Sequence, residues 1–102
     1  MLFLSEQEMW QSITLEDVMD AIEDAYAIHK SGNYKMPDRF IAQRDKNMML
    51  YMPCFLDSVI STKMLSEFPD NPSLGIPYLN GLMILNNAKT GLPKAIMNGS
   101  VL

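Results

Sequence analysis

Two cations stand out in a sequence otherwise poor in reactive side chains. Arg39 opens a strand-like run directly after Pro37-Asp38, and Lys63 lies inside Val59-Ile60-Ser61-Thr62-Lys63-Met64-Leu65. Side chains alternate along a strand, so Lys63 shares a side with Val59, Ser61 and Leu65. An ammonium in such a run must find an anion or reach water. The ordinary explanations are an edge or surface lysine, or one paired with Glu67 or Asp70; Arg39 could pair in the same way with Asp38 or Asp45. The functional explanation takes the two together. A guanidinium fork and an ammonium can converge on one substrate carboxylate, which predicts that Arg39 and Lys63 sit on neighbouring strands with their side chains on one face.

The remaining candidates carry less. His29 is the sole histidine, which excludes histidine clusters and HExxH-type metal sites. It falls on the packing stripe of a helix near its C-terminus, where partial positive charge is favoured, and reads as a partly buried packing residue. Cys54, the sole cysteine, follows Pro53 in an apolar run and reads as inert packing rather than a reactive thiol. With one cysteine there is no internal disulfide. Neither common glycine-rich phosphate loop is present.

The elements that must position these residues are legible in outline. Thr14 is a good N-cap with Asp17 three residues on, and Ile13 and Val18 are spaced for a hydrophobic staple. Leu15, Val18, Ile22, Ala25 and His29 recur at helical spacing with Met19 and Tyr26 beside them, and Gly32 follows as a stop. This predicts one amphipathic helix over 14–31. Beyond Gly32 the pattern shortens. Residues 38–43, 48–55, 59–68, 81–86 and 92–97 read as strands, the second of them apolar on both alternating sides, as in a strand covered twice. Pro69-Asp70-Asn71-Pro72-Ser73-Leu74-Gly75-Ile76-Pro77 must be an ordered loop or a linker. Asn86, Asn87 and Gly91 suit a hairpin between the last two strands, and Asn98-Gly99 is a second tight-turn signal. Only Ser100-Val101-Leu102 follow, which reads as a chain cut within an element. The fold class expected is α+β: an N-terminal helix packed on a mostly antiparallel or mixed β-sheet, forming an incomplete domain.

Composition narrows the function classes. The chain has 102 residues, 48% hydrophobic and 20% charged, with net charge −4, which describes one globular domain. Eight scattered Lys and Arg make no basic face for nucleic acid, and no basic amphipathic helix suits a membrane surface. The apolar start Met1–Leu4 is too short for a secretory signal, and no run approaches the ~20 apolar residues of a membrane span. These features favour a soluble cytoplasmic protein without nucleic-acid or membrane partners. Ten methionines point to an adaptable core.

The order of short motifs is more specific than any one of them. Pro37-Asp38-Arg39, Tyr51-Met52-Pro53, Thr62-Lys63, Phe68-Pro69-Asp70-Asn71-Pro72, Gly75-Ile76-Pro77, Thr90-Gly91-Leu92-Pro93-Lys94-Ala95 and Met97-Asn98-Gly99 succeed one another along the whole chain. The series resembles the N-terminal part of the ornithine cyclodeaminase/μ-crystallin family, which includes archaeal-type alanine dehydrogenases and ketimine reductases.

The resemblance implies a substrate-binding domain that pairs two subunits through its β-sheet, followed by a Rossmann domain and a returning C-terminal segment. Residues 1–102 would be the first domain, with the Rossmann part absent. It implies that Arg39 holds the substrate carboxylate and that Lys63 contacts the carboxylate and assists chemistry at the α-carbon. Met52 would line the substrate pocket, and Tyr78 would lie near the nicotinamide. The full-length parent would use NAD or NADP on a small amino acid or cyclic imine, as a cyclodeaminase, an alanine-dehydrogenase-like or a ketimine-reductase-like enzyme; this chain alone would be inactive and bind no cofactor. A μ-crystallin-like small-molecule binder or structural dimerisation protein without turnover is the alternative. Two departures bear on substrate. The family's Thr-x-x-Arg-Thr motif, which carries another carboxylate ligand, would follow the point where this chain stops. The position two before Met52-Pro53, acidic in ornithine cyclodeaminases, is Leu50, which suits a shorter or uncharged side chain rather than ornithine.

Overall fold

The computed structural model describes residues 1–100. Strand β1 spans Leu2–Leu4, helix α1 Glu6–Ser12, helix α2 Leu15–Ser31, β2 Phe40–Arg44, β3 Asn47–Phe55, β4 Val59–Glu67, β5 Leu79–Asn87 and β6 Pro93–Asn98, with a 3₁₀ turn at Asn71–Leu74. The six strands form one mixed sheet in the order β1-β6-β5-β4-β3-β2. Strands β2 to β6 make an antiparallel meander, and β1 joins parallel to β6. The expected α+β class is the one observed.

Local chemistry explains most boundaries. Thr14 caps α2: its hydroxyl accepts from the Asp17 amide at 3.1 Å, while the Asp17 carboxylate accepts from the Thr14 amide at 2.8 Å. Gly32 ends the helix at φ 74°, in the left-handed region open to glycine. Both caps are those the sequence predicts. The hairpin β2–β3 turns on Asp45-Lys46, with Asp45 at φ 56°, a conformation that a short carboxylate side chain tolerates. In the β5–β6 turn, the Asn87 side-chain oxygen accepts from the Lys89 and Thr90 amides. The proline-rich segment is an ordered loop: the Asn71 and Asn80 side chains both donate to the Pro77 carbonyl.

Two elements were not foreseen. β1 has three residues and exists only by pairing with β6, more than ninety residues away in sequence, which no local pattern records. α1 did leave a signal, the Ser5-Glu8 capping box, whose reciprocal bonds are present. The Asn98-Gly99 turn is also different in nature. Gly99 is not among the glycines at positive φ; it continues pairing, its amide donating to the Gly81 carbonyl at 2.8 Å. What the position demands is space, since a Cβ on Gly99 would lie 2.9 Å from the Leu82 backbone carbon.

Burial is shallow. Met9, Leu50 and Ala95 are the buried hydrophobic residues, and among the described residues no large side chain is fully buried. The expected cover of β3 on both sides is not complete: Leu50 is 6% exposed, Phe55 is exposed, and the other residues of the strand are half-buried. α1 lies against β6. α2 contributes Ala25, Ile28 and His29 to a cavity of about 240 Å³ shared with Tyr34, Met36, Cys54 and Leu56. Much of the rest of its apolar stripe stands free: Leu15 is 77% exposed, and Met19, Ile22 and Tyr26 are exposed too, while Val18 is half-buried. The predicted stripe is thus real in spacing but only partly packed, at Val18 and at the C-terminal end of the helix. His29 correspondingly is exposed rather than partly buried, with its Nδ1 2.8 Å from the Tyr34 hydroxyl.

Candidate functional site

Strand register assembles the site. Residues directly opposite across a ladder point to the same face. Met52 of β3 lies opposite Lys63 of β4, Lys63 opposite Met83 of β5, and Met83 opposite Met97 of β6. These four form one row across the middle of the sheet, on the same face as Leu50, Leu65 and Ala95. Lys63 is half-buried there. The ion pairs its surroundings offer are not made. The one salt bridge among the described residues joins Lys46 to Asp70 at 2.7 Å, with both side chains exposed, so Asp70 is committed elsewhere. Glu67 shares the face of Lys63 but lies four residues along the strand, about 13 Å away at strand rise.

Arg39 approaches the same row from the far side of β3. The expectation of neighbouring strands needs correcting: Arg39 immediately precedes β2, and β3 lies between β2 and β4. Its backbone is therefore about 10 Å from that of Lys63, two strand spacings. The local backbone is also irregular. Lys35 pairs with Phe55 through two hydrogen bonds of 2.9 and 2.8 Å, while Phe40 pairs with Tyr51. Five steps on this side thus oppose four on β3, so residues 36–39 carry one extra residue. Such bulges redirect a side chain, and Pro37 within it has no amide to forfeit from the ladder. The ladder carried one step past Phe40 would set Arg39 opposite Met52. Arg39 is exposed, and it forms no ion pair with Asp38 or Asp45 among the described residues.

Met52 and Lys63 share one row, and Arg39 precedes β2 on the far side of β3 from Lys63. Tyr78 does not join them. It immediately precedes β5, its carbonyl accepting from the Phe68 amide at 3.1 Å, and it stands five residues from Met83, about 16 Å along the strand. Met83 and Met97 were missed by sequence reading, because only the β4–β5 and β5–β6 registers bring them beside Lys63. Cys54 is a free, half-buried thiol on the same face, two residues from Met52.

The chemistry this row offers is electrostatic: a lysine ammonium without an acidic partner among the described residues, on a largely apolar floor. It suits a carboxylate. Gly32, Gly75 and Gly91 serve turns at positive φ, and Gly81 and Gly99 serve the close approach of β5 and β6, so no glycine of this chain builds a phosphate cradle. Among the described residues no helix is long and apolar enough to cross a membrane.

Known proteins share both the sequence and the fold. The alanine dehydrogenase of Archaeoglobus fulgidus is 31% identical over 99 residues, covering 97% of this chain and 31% of that protein. A solved archaeal alanine dehydrogenase dimer with bound NAD superposes with a TM-score of 0.89 at 31% identity, over 98% of this chain and 31% of that one. The Δ1-pyrroline-2-carboxylate reductase of Thermococcus litoralis, solved with NADH and L-proline, gives a TM-score of 0.88 at 32% identity over 99% of this chain and 32% of that one. The chain thus spans about a third of the length of these relatives. The model of the ornithine cyclodeaminase/mu-crystallin family matches residues 1–102, and the chain belongs to that family.

Proposed function

We propose that this chain is the part of an NAD(P)-dependent enzyme that holds the substrate carboxylate and pairs two subunits, and that the enzyme acts on an α-amino acid or its imine. The observation that carries this reading is Lys63, mid-sheet, half-buried and without an ion pair among the described residues. An ammonium so placed, with no acidic partner, is available to an incoming carboxylate. Arg39, approaching from beyond β3, adds a second donor set. Together they fix the carboxylate and so orient the α-carbon. The nicotinamide, held outside this chain, supplies the hydride chemistry; this chain's contribution is position and charge. The face opposite Lys63 is left for the second subunit.

The test is Lys63→Met in the complete natural protein that carries this chain. The kcat/KM for imine or amino-acid substrate is expected to fall on the order of a hundredfold, the usual cost of removing a charge partner. NADH affinity by fluorescence titration should stay unchanged. An unchanged kcat/KM would remove the carboxylate role from Lys63.

A further inference from the structure

Asn98-Gly99 has a twin. Asn80-Gly81 is the other Asn-Gly pair in the sequence, and the sheet sets the two pairs against each other. The Gly99 amide donates to the Gly81 carbonyl at 2.8 Å, and the Gly81 amide donates to the Ser100 hydroxyl at 3.1 Å. Close packing accounts for both glycines, since a Cβ would lie 2.8 Å from Leu65 Cδ2 at Gly81 and 2.9 Å from the Leu82 backbone carbon at Gly99. An asparagine placed before glycine is open to attack by its own chain. Asparagine is thermolabile, and glycine, without a Cβ, neither screens its nitrogen nor restricts the rotation that brings it round. On losing its proton, the glycine nitrogen bonds to the asparagine Cγ, the carboxamide nitrogen leaves as ammonia, and a cyclic succinimide remains. Water then opens the ring. Cleavage at the Cγ carbonyl gives aspartate; cleavage at the backbone carbonyl gives isoaspartate, in which the chain runs through Cβ. No oxidant or reductant is needed.

We infer that Asn80 and Asn98 are latent deamidation sites held under one lock, the pairing of β5 with β6 around Gly81. Each glycine N–H that must lose its proton is engaged in one of the two hydrogen bonds above. The carboxamides are engaged as well. Asn80 Nδ2 donates back to the Pro77 carbonyl at 3.0 Å, and Asn98 Oδ1 accepts from the Ser100 amide at 2.8 Å. Gly99 is buried besides. Separation of β6 from β5 breaks both glycine bonds together, so one opening event exposes both sites. The two bonds differ in one respect: Gly99 is held by backbone, whereas Gly81 is held by a side chain that a single substitution removes. Isoaspartate is the product with structural consequences. It adds a backbone atom inside the ladder that sets Met83 opposite Met97, and pairing in that register is interrupted there. A transient opening of the sheet thereby becomes a permanent one.

The experiment is peptide mapping by mass spectrometry on the complete natural protein, incubated folded and in urea at mildly alkaline pH, with fragmentation that tells isoaspartate from aspartate. Urea gives the unlocked rate of each site. Asn80 and Asn98 are expected to convert readily in urea and about a hundredfold or more slowly in the folded protein, because opening of a paired strand is rare. Ser100→Ala changes an exposed residue, so the variant is expected to fold. In the folded variant Asn80 should convert severalfold faster than in the unaltered protein, with a smaller effect at Asn98. Conversion as fast folded as in urea, at either site, would overturn the lock. An Asn80 rate untouched by Ser100→Ala would overturn the part assigned to the Ser100 hydroxyl and with it the shared lock.

Discussion

At the scale of single residues, Gly81 and Gly99 show how closely the site is held. They face each other across β5 and β6, two residues from Met83 and Met97. A Cβ on Gly81 would lie 2.8 Å from Leu65 Cδ2, the end of a side chain that can rotate away. A Cβ on Gly99 would meet backbone instead: Leu82 C at 2.9 Å, and Gly81 C and Leu82 N at 3.0 Å each. Backbone in a ladder cannot give without breaking pairing. Gly99→Ala is therefore expected to cost more than Gly81→Ala, about 2–3 against about 1 kcal/mol by overpacking, measured by denaturant melts. Equal costs would mean that β6 shifts freely. The sequence marked Asn98-Gly99 as a special place but attached the wrong reason to it, because turn chemistry and close approach both select glycine.

At the scale of elements, α2 is held more by its ends than by its flank. Most of its apolar stripe is exposed, so the caps carry an unusual share. Thr14→Ala is expected to remove about 1 kcal/mol of helix stability, read as lost helicity in a peptide spanning residues 12–33, where an isolated helix is marginal. pH gives a second handle. Hydrogen bonds from the Thr14 amide and hydroxyl hold the Asp17 carboxyl below its ordinary value of 3.8. A depressed folded pKa means that the contribution is complete above 3.8 and is lost as pH falls through the lower folded value. Acidification below that point should melt the N-terminal turn first. Asp17→Asn should remove that part of the acid dependence; an unaltered acid limb would show that the other acidic residues of α2 account for it. The same reciprocal bonds hold Glu8 of α1 below its ordinary 4.5.

At the scale of the whole molecule, the sheet has two open sides with different uses. The radius of gyration is 15.2 Å, against roughly 13 Å for a compact domain of this size, as expected of a sheet not wrapped by its own helices. On the side away from Lys63, Phe40, Tyr51, Met64 and Leu82 form a cross-strand row, with Phe40 64% and Leu82 45% exposed. Phe3 adds a further exposed ring at the β1 edge. Apolar surface of this extent is rarely left in water, and the proposed carboxylate site leaves the Lys63 side open. A two-fold pairing through the opposite side satisfies both. If the complete natural protein pairs through this face, Leu82→Glu is expected to give a folded monomer in sedimentation equilibrium where the unaltered protein gives a dimer, since an already exposed residue is changed. A retained dimer would move the interface off this face.

The sequence by itself determined the local structure, because its causes are local. Thr14, Asp17 and Gly32 bound α2, alternating apolar runs mark β2 to β6, and Asn87 and Gly91 make the last hairpin. It also marked Arg39 and Lys63, since cations beside apolar runs stand out in any context. Only the tertiary structure decided which residues surround Lys63, because register joins positions twenty residues apart through backbone hydrogen bonds that are the same for every side chain. Met83 came to lie opposite Lys63 that way, β3 came to lie between the two cations, and β1 found its place beside β6. Whether the stripe of α2 is buried was likewise not written in its period. Helical spacing says which side chains share a face, while burial depends on how much neighbouring surface exists to meet that face, and here most of the stripe is left exposed.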